Sequence, residues 1–242
     1  MSAYSQTLAI TLQKQPVREN DCFFTFYTRE AGKVRALATG AKRIKSKLAG
    51  HLEPFGVVRI SIAHGYYQTR LTAASRQSYF KNIAQNLELL SIAGSCLHLT
   101  DNLTKENHRD EIVYDLLEEL LNILNQNPKQ EKLKIIYSVF VLKLLTELGY
   151  KPELYNCLIC KTEIKPEGNI FSSERGGLIC PVCSPRADQV EGEPGTGVSA
   201  DLIKLLRAAI NFNFENFLKI KISNEQALAF NKLASDFLEQ RS

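Results

Sequence analysis

Four cysteines carry the most specific chemistry in this chain. Cys157-Leu158-Ile159-Cys160 and Cys180-Pro181-Val182-Cys183 form two CxxC pairs separated by 19 residues. Two intervening residues let one tight turn bring both sulfurs to a single metal. Two such turns facing each other close a tetrahedron. Disulfides suit secreted chains, and the N-terminal stretch MSAYSQTLAITLQKQ lacks the basic, apolar and small-residue regions of a signal peptide. A redox dithiol is normally a single CxxC that opens a helix after a strand. The pattern therefore predicts one structural zinc ion held by Cys157, Cys160, Cys180 and Cys183. Four protein thiolates leave no position open for a substrate. Such an ion would tie down a segment in which Pro166, Gly168, Gly176 and Gly177 favour turns. Cys22 and Cys96 stand alone in apolar surroundings and read as buried small hydrophobes.

The second chemical signal is a concentration of cations. Between Gly32 and Pro54 stand Lys33, Arg35, Lys42, Arg43, Lys45 and Lys47, with Glu53 the one acid. Such a cluster repels itself unless solvent or an anion neutralises it. The net charge of +4 hides an asymmetry. Residues 1–80 hold twelve Lys and Arg against four Asp and Glu, or +8, whereas the remainder holds 18 against 22, or −4. A polyanion, most simply nucleic acid, suits the first segment. A membrane surface suits it poorly, because the basic run lacks the bulky apolar face of an interfacial helix. A solvated loop without a ligand is the competing reading. Nearby lie Phe23, Phe24, Phe26, Tyr27, Tyr66 and Tyr67. Tyr66 and Tyr67 are adjacent, so on a strand they point to opposite faces. The outward one, with Arg70 close by, is placed to stack a base.

Positioning these groups requires a β region followed by helices. Thr7–Gln13, Cys22–Thr28, Lys33–Thr39, Val57–Ala63 and Tyr66–Ala74 alternate or are rich in β-branched and aromatic residues. Gly32, Gly40 and the pair His64-Gly65 supply turns. Five short strands in roughly 75 residues fit a small barrel best. From residue 79 the apolar period becomes helical, with Ile83, Leu87, Leu90 and Cys96/Leu97, then Ile112 to Leu124. Lys132–Leu148 is apolar nearly all round and reads as a central helix, stopped by Gly149 and Pro152. Residues 186–200 read as a polar linker, followed by helices capped at Ser199 or Asp201 and at Ser223. The expected organisation is α+β and multidomain. It runs 1–80 barrel, 81–152 helical domain, 153–188 four-cysteine zinc-binding insert, and 189–242 C-terminal helices packed on the helical domain.

Other motifs carry no chemistry. Gly192–Gly197 has Pro and Glu where a phosphate loop needs backbone N–H groups, and no Lys follows it directly. The acidic residues from Asp110 to Glu119 read as a solvated helix face. The four histidines show no ligand or triad spacing, so no nucleophile–base set emerges and an enzyme is not expected. No run of about 18 apolar residues occurs, so no membrane span is expected, and a cytoplasmic, nucleoid-associated protein is.

The stretch TREAGKVRALATGAKRIKSKLAGHLEPF, Thr28–Phe55, resembles the N-terminal domain of the bacterial DNA repair and recombination mediator family RecO. The match lies in the order: TRE-x-GK-x-R, a Gly before the Arg/Lys run, then L-x-G-x-LEPF. The helical middle ending Leu148-Gly149-Tyr150 and the Cys pair after Pro152 extend the likeness over most of residues 4–185. The resemblance implies an oligonucleotide-binding (OB) barrel, a helical domain and a zinc-finger insert. It implies a non-enzymatic protein that binds single- and double-stranded DNA, anneals complementary strands and assists RecA loading in gap repair. Its implied partners are RecR, the single-stranded-DNA-binding protein and, indirectly, RecA. The implied DNA contacts are Lys33, Arg35, Lys42, Arg43, Lys45 and Lys47, with Arg59, Arg70 and Arg76 as weaker additions; the strand reading adds Tyr66. An RNA- or ribosome-associated OB/zinc-ribbon protein is the alternative that charge alone leaves open.

Overall fold

A computed structural model describes residues 4–43, 46, 48, 50, 52, 55–187 and 195–241. The period-two stretches become β1 (Tyr4–Pro16), β2 (Cys22–Thr28), β3 (Gly32–Ala38), β4 (Gly56–His64) and β5 (Thr69–Tyr79). They close into a barrel in the order β1-β2-β3-β5-β4. All neighbours run antiparallel except β3 and β5, which meet in parallel at Leu37 and Arg70. Register shifts at Thr11/Gln13, Val57/Val58 and Ser61/Ile62 bend the strands enough to close. Every second residue points inwards: Cys22, Phe24 and Phe26 from β2, Val34, Ala36 and Ala38 from β3, Val58, Ile60 and Ile62 from β4. The alanines leave room for the rings of Phe24 and Phe26, which stack with centroids 5.8 Å apart. This is the OB-like barrel that the sequence predicts.

The fifth strand begins later than expected. Tyr66 and Tyr67 belong to the turn between β4 and β5, and both stand in solvent. The expectation that the two lie on a strand and face opposite sides of it is therefore corrected. Gly65 N–H donates to Gln68 O at 3.2 Å, which closes the turn before the strand can start.

The chain divides into two compact units, Met1–Gln130 and Glu131–Ser242. In the first, the barrel is joined by α1 (Lys81–Gln85), α2 (Leu87–Leu103) and α3 (Glu111–Asn125). The Asn86 side chain accepts from the N–H groups of Glu88 and Leu89, and Asp110 does the same for Ile112 and Val113. Leu87 and Ile112, expected on the buried faces, occupy the first turns of these helices and are exposed. The β2–β3 hairpin docks on the loop between α2 and α3. Asn107 N–H donates to Lys33 O at 2.8 Å, and Lys33 Nζ lies 3.3 Å from Asp101 Oδ1. Arg29 pairs with Asp115 at 3.0 Å and lies over the Tyr114 ring.

Gly32 is required twice at this junction. Its φ is +66°, and a Cβ there would stand 1.8 Å from His108 O. Both the left-handed backbone and the clash oppose any side chain. Gly32→Ala is expected to destabilise the protein by about 2 kcal/mol or more. Denaturant unfolding at pH 7 checks this; an unchanged midpoint would show that the hairpin and the loop are not docked.

The second unit contains α4 (Gln130–Glu147, from its second residue), β6 (Asn169–Ser172), β7 (Gly177–Ile179), α5 (Ser184–Ala187), β8 (Thr196–Val198), α6 (Ala200–Asn211), α7 (Phe214–Phe217) and α8 (Asn224–Glu239). Ser138 Oγ on α4 donates to Asn231 Oδ1 on α8 at 2.8 Å, and Lys132 Nζ on α4 donates to Leu218 O beside α7 at 3.2 Å. The C-terminal helices thus pack on α4. Ser199 caps α6, and Ser223 with Gln226 forms a full capping box on α8, as their sequences predict. The expected linker over 186–200 is partly strand: β8 pairs with β6, giving a sheet ordered β7-β6-β8. Its three residues, Thr-Gly-Val, are too short a run, broken by Gly, to mark a strand alone; the edge of β6 supplies the hydrogen bonds. Among the described residues no helix is long and apolar enough to cross a membrane.

Candidate nucleic-acid interface and metal centre

The two CxxC turns converge. The first precedes the β6–β7 hairpin, and the second follows β7 at once. In the first turn Lys161 N–H donates to Cys157 O and Cys157 N–H to Thr162 O, while Leu158 N–H reaches Leu178 O on β7. In the second, Cys183 and Ser184 N–H both donate to Cys180 O. These bonds bring the sulfurs of Cys157, Cys160, Cys180 and Cys183 within 4.8 Å of one another. The Cys160 and Cys180 sulfurs stand 3.7 Å apart. A disulfide needs about 2.05 Å. A tetrahedron of thiolates around zinc, with bonds of about 2.3 Å, has edges of about 3.8 Å. The cluster can hold a metal ion, and the donor set fits a tetrahedral one.

The electrostatics of the cluster agree. The hydroxyl of Thr162, 3.0 Å from Cys160 Sγ, holds that thiol down at about 6. Burial, then hydrogen bonding to the neighbouring sulfurs, pushes Cys183 up to about 12. So crowded a set does not ionise fully without a cation among the sulfurs to offset their repulsion.

Glu153 holds the first turn in place. Its Oε1 accepts from Tyr155 N–H at 2.8 Å and Asn156 N–H at 3.0 Å. These two donors, that of Asn156 first, hold its carboxyl below the usual carboxylate range. A depressed pKa means stability present at neutral pH and lost as the pH falls through the folded value. Its main chain bonds to Gly176 O and Leu178 N–H, and a Cβ at Gly177 would meet Glu153 O at 2.6 Å. Glu153→Ala is expected to cost about 1–2 kcal/mol and speed metal loss to a chelator, with Glu153→Gln keeping much of the acceptor. Equal release rates in wild type and Glu153→Ala would contradict that role.

The barrel cations fall into distinct groups. Arg35, Lys42, Arg43, Arg59 and Arg70 stand exposed. Lys33 does not: its side chain is 12 % exposed and paired with Asp101. Arg76 is half-buried, donates to Gly50 O and lies over the Tyr79 ring. Lys45 and Lys47 lie outside the described residues. Gly40, at φ +69°, turns the chain out of β3, and its N–H is held by Asp21 Oδ1 at 2.8 Å. Lys42 N–H then donates to Asn20 O, and its Nζ to Arg18 O, both at 3.0 Å. The start of the basic run is thereby pinned to the β1–β2 turn. That turn brings exposed Arg18 alongside, a residue that lies outside the basic run in sequence and has Glu19 and Asp21 close by.

The aromatics separate as cleanly. Phe24 and Phe26 fill the barrel, and Tyr27 is buried, its phenol pushed up by burial and then by Asp110. Phe23 points outwards, half-buried, with the Arg35 guanidinium 4.3 Å from its ring centroid. Arg35 Nη2 also donates to Gln15 Oε1 at 2.8 Å, so the arginine is oriented from two sides. The outside of the barrel therefore carries exposed cations with aromatic surface among them. That is the chemistry of single-strand recognition.

Comparison with known proteins divides the chain at the end of the barrel, ahead of the break between the two compact units. Residues 1–80 match the family described as recombination protein O N terminal, and residues 84–242 match recombination protein O C terminal. A DNA repair protein RecO of Dehalococcoides mccartyi is 31% identical over 220 residues, covering 91% of this chain and 83% of that protein. A DNA repair protein RecO of Alkaliphilus metalliredigens is 25% identical over 235 residues, covering 96% and 92%.

Proposed function

The chain belongs to the RecO family of DNA repair and recombination proteins, and from that premise we propose a non-enzymatic mediator that binds single- and double-stranded DNA through its barrel. The observation that carries this reading is the set of solvent-facing cations on one OB-like barrel, Arg35, Lys42, Arg43, Arg59 and Arg70, in a segment of charge +8. Lys45 and Lys47 extend the set by sequence. Lys33, neutralised by Asp101, is assigned to docking within its own unit rather than to DNA.

Phosphate contacts carry little sequence information, so binding is largely sequence-independent. Annealing brings two polyanions together, and a dense cationic surface screens their repulsion. In this reading the protein anneals complementary strands and assists RecA loading in gap repair in the cytoplasm. It works on DNA coated by the single-stranded-DNA-binding protein and in partnership with RecR. The four cysteines hold one zinc ion. With all four positions filled by thiolates, that ion supplies folding energy to the module over 153–188 and no open site for chemistry.

A strand-annealing assay tests the reading: complementary oligonucleotides coated by their single-strand-binding protein, with and without RecR. Annealing faster than the spontaneous rate is expected. A rate equal to the spontaneous one under both conditions, from folded protein, would overturn it.

A further inference from the structure

The turn between β4 and β5 presents two tyrosines that nothing in the fold requires. Tyr66 and Tyr67 are 96% and 94% exposed. An aromatic ring left in water adds nothing to the core. Two adjacent rings at the tip of a hairpin, both outside, form a small apolar surface of their own. Their rings meet edge to face, centroids 5.0 Å apart and planes at 84°. Each steadies the other while most of its surface stays in solvent.

The tip is held from below. Gly65 N–H donates to Gln68 O at 3.2 Å, and a Cβ at Gly65 would stand 2.9 Å from that oxygen. The His64 ring lies within hydrogen-bonding distance of Ser5 Oγ, 3.3 Å, and Thr69 Oγ1, 3.4 Å. The pair therefore sits on a braced turn.

Cations flank it. Arg70, exposed, is three residues beyond Tyr67 and pairs with Leu37 across the β3–β5 contact. Arg35 lies two residues before Leu37, about 7 Å along β3, with Phe23 beneath it. Aromatic faces beside guanidinium groups suit a ligand with both π-faces and phosphates.

We propose that Tyr66 and Tyr67 form a stacking platform for unpaired nucleobases, giving the barrel a salt-independent preference for single over double strands. This deepens the DNA-binding reading above and rests on it. In a duplex the bases stack on one another and their faces are closed to the rings; in a single strand they are open. Stacking displaces no counterion, so it changes affinity without changing the salt slope.

The test uses the full chain with the double variant Tyr66→Ser/Tyr67→Ser and the control Tyr66→Phe/Tyr67→Phe. Both should melt like wild type, since the rings bury almost nothing. The serine variant should lose about 10- to 100-fold in affinity for a single-stranded oligonucleotide. It should bind a duplex of the same sequence within about twofold of wild type and keep the same slope of log K against log salt. The phenylalanine variant should retain single-strand affinity. The chain has nine tyrosines and no tryptophan, so quenching of tyrosine emission by the single strand is a second readout, expected to shrink in the serine variant. Unchanged single-strand affinity, or an equal loss on both substrates, overturns the platform while leaving DNA binding intact. Failure of the wild-type protein to bind either substrate overturns the DNA-binding reading itself, and the platform with it.

Discussion

Cys180→Ser is expected to unfold the module built on β6, β7 and the two CxxC turns. Structural zinc in small finger domains contributes about 10–16 kcal/mol at neutral pH, and removing one of four thiolates forfeits much of it. What else holds the module is a small apolar set, Leu154, Phe171, Leu178 and Ile179, with Phe171 edge to face on Phe237 of α8. The sheet has strands of four, three and three residues, and the segment between Glu153 and Asn169 has no helix or ladder strand among the described residues. Its ties to the rest of its unit include Arg207 donating to Leu154 O and Arg241 donating to Ser173 and Glu174 O. These bonds orient a folded module; they do not create one. Purified wild type should contain about one zinc per chain. The variant should contain almost none, and a protease should cut it between residues 153 and 198. Full resistance to cleavage at zero metal would show that the cysteines are ordinary core thiols.

Alanine at Lys42, Arg43, Lys45 and Lys47 together is expected to have the largest effect on DNA binding. Each neutralised phosphate on a single strand contributes about 0.7 to the slope of log K against log salt. Four contacts removed would lower affinity on the order of 10²–10³-fold near 0.1 M salt and flatten the slope by about 2.8. Stability should hardly change, because Lys42 and Arg43 are exposed and surface cations contribute little to folding. Equal affinity and slope in variant and wild type would move the DNA-binding surface away from this run. Arg35, Arg59 and Arg70 would then be the residues to replace.

The barrel was legible because its signal is local. Alternation in β1 and β4 and the aromatic, β-branched run of β2 expose the strands directly, and Gly32 and Gly40 mark turns that do need positive φ. The cysteine cluster was legible for the same reason, since CxxC spacing writes the ligand geometry into the chain. Nonlocal effects were hidden. The sequence shows Lys33 and Arg35 as equivalent members of one basic run. Only the approach of the α2–α3 region gives Lys33 a carboxylate partner at Asp101, 68 positions away, while Arg35 stays on the open face over Phe23. Likewise Arg18 looks neutralised by its neighbours until the bond from Lys42 Nζ places it beside the cationic loop. Tyr66 and Tyr67 were misread because their β-propensity suits a strand, whereas the Gly65–Gln68 closure delays the strand until Thr69. β8 was missed because a three-residue run broken by Gly becomes a strand only through the edge of β6.

The central claim is that the cations of the barrel neutralise DNA phosphates. Its most direct test is the binding of wild-type protein to a single-stranded oligonucleotide, followed by fluorescence anisotropy between about 50 and 300 mM salt. With roughly five phosphates neutralised, log K should fall against log salt with a slope of about −3.5. A slope near zero, or no binding at the lowest salt, would contradict the account.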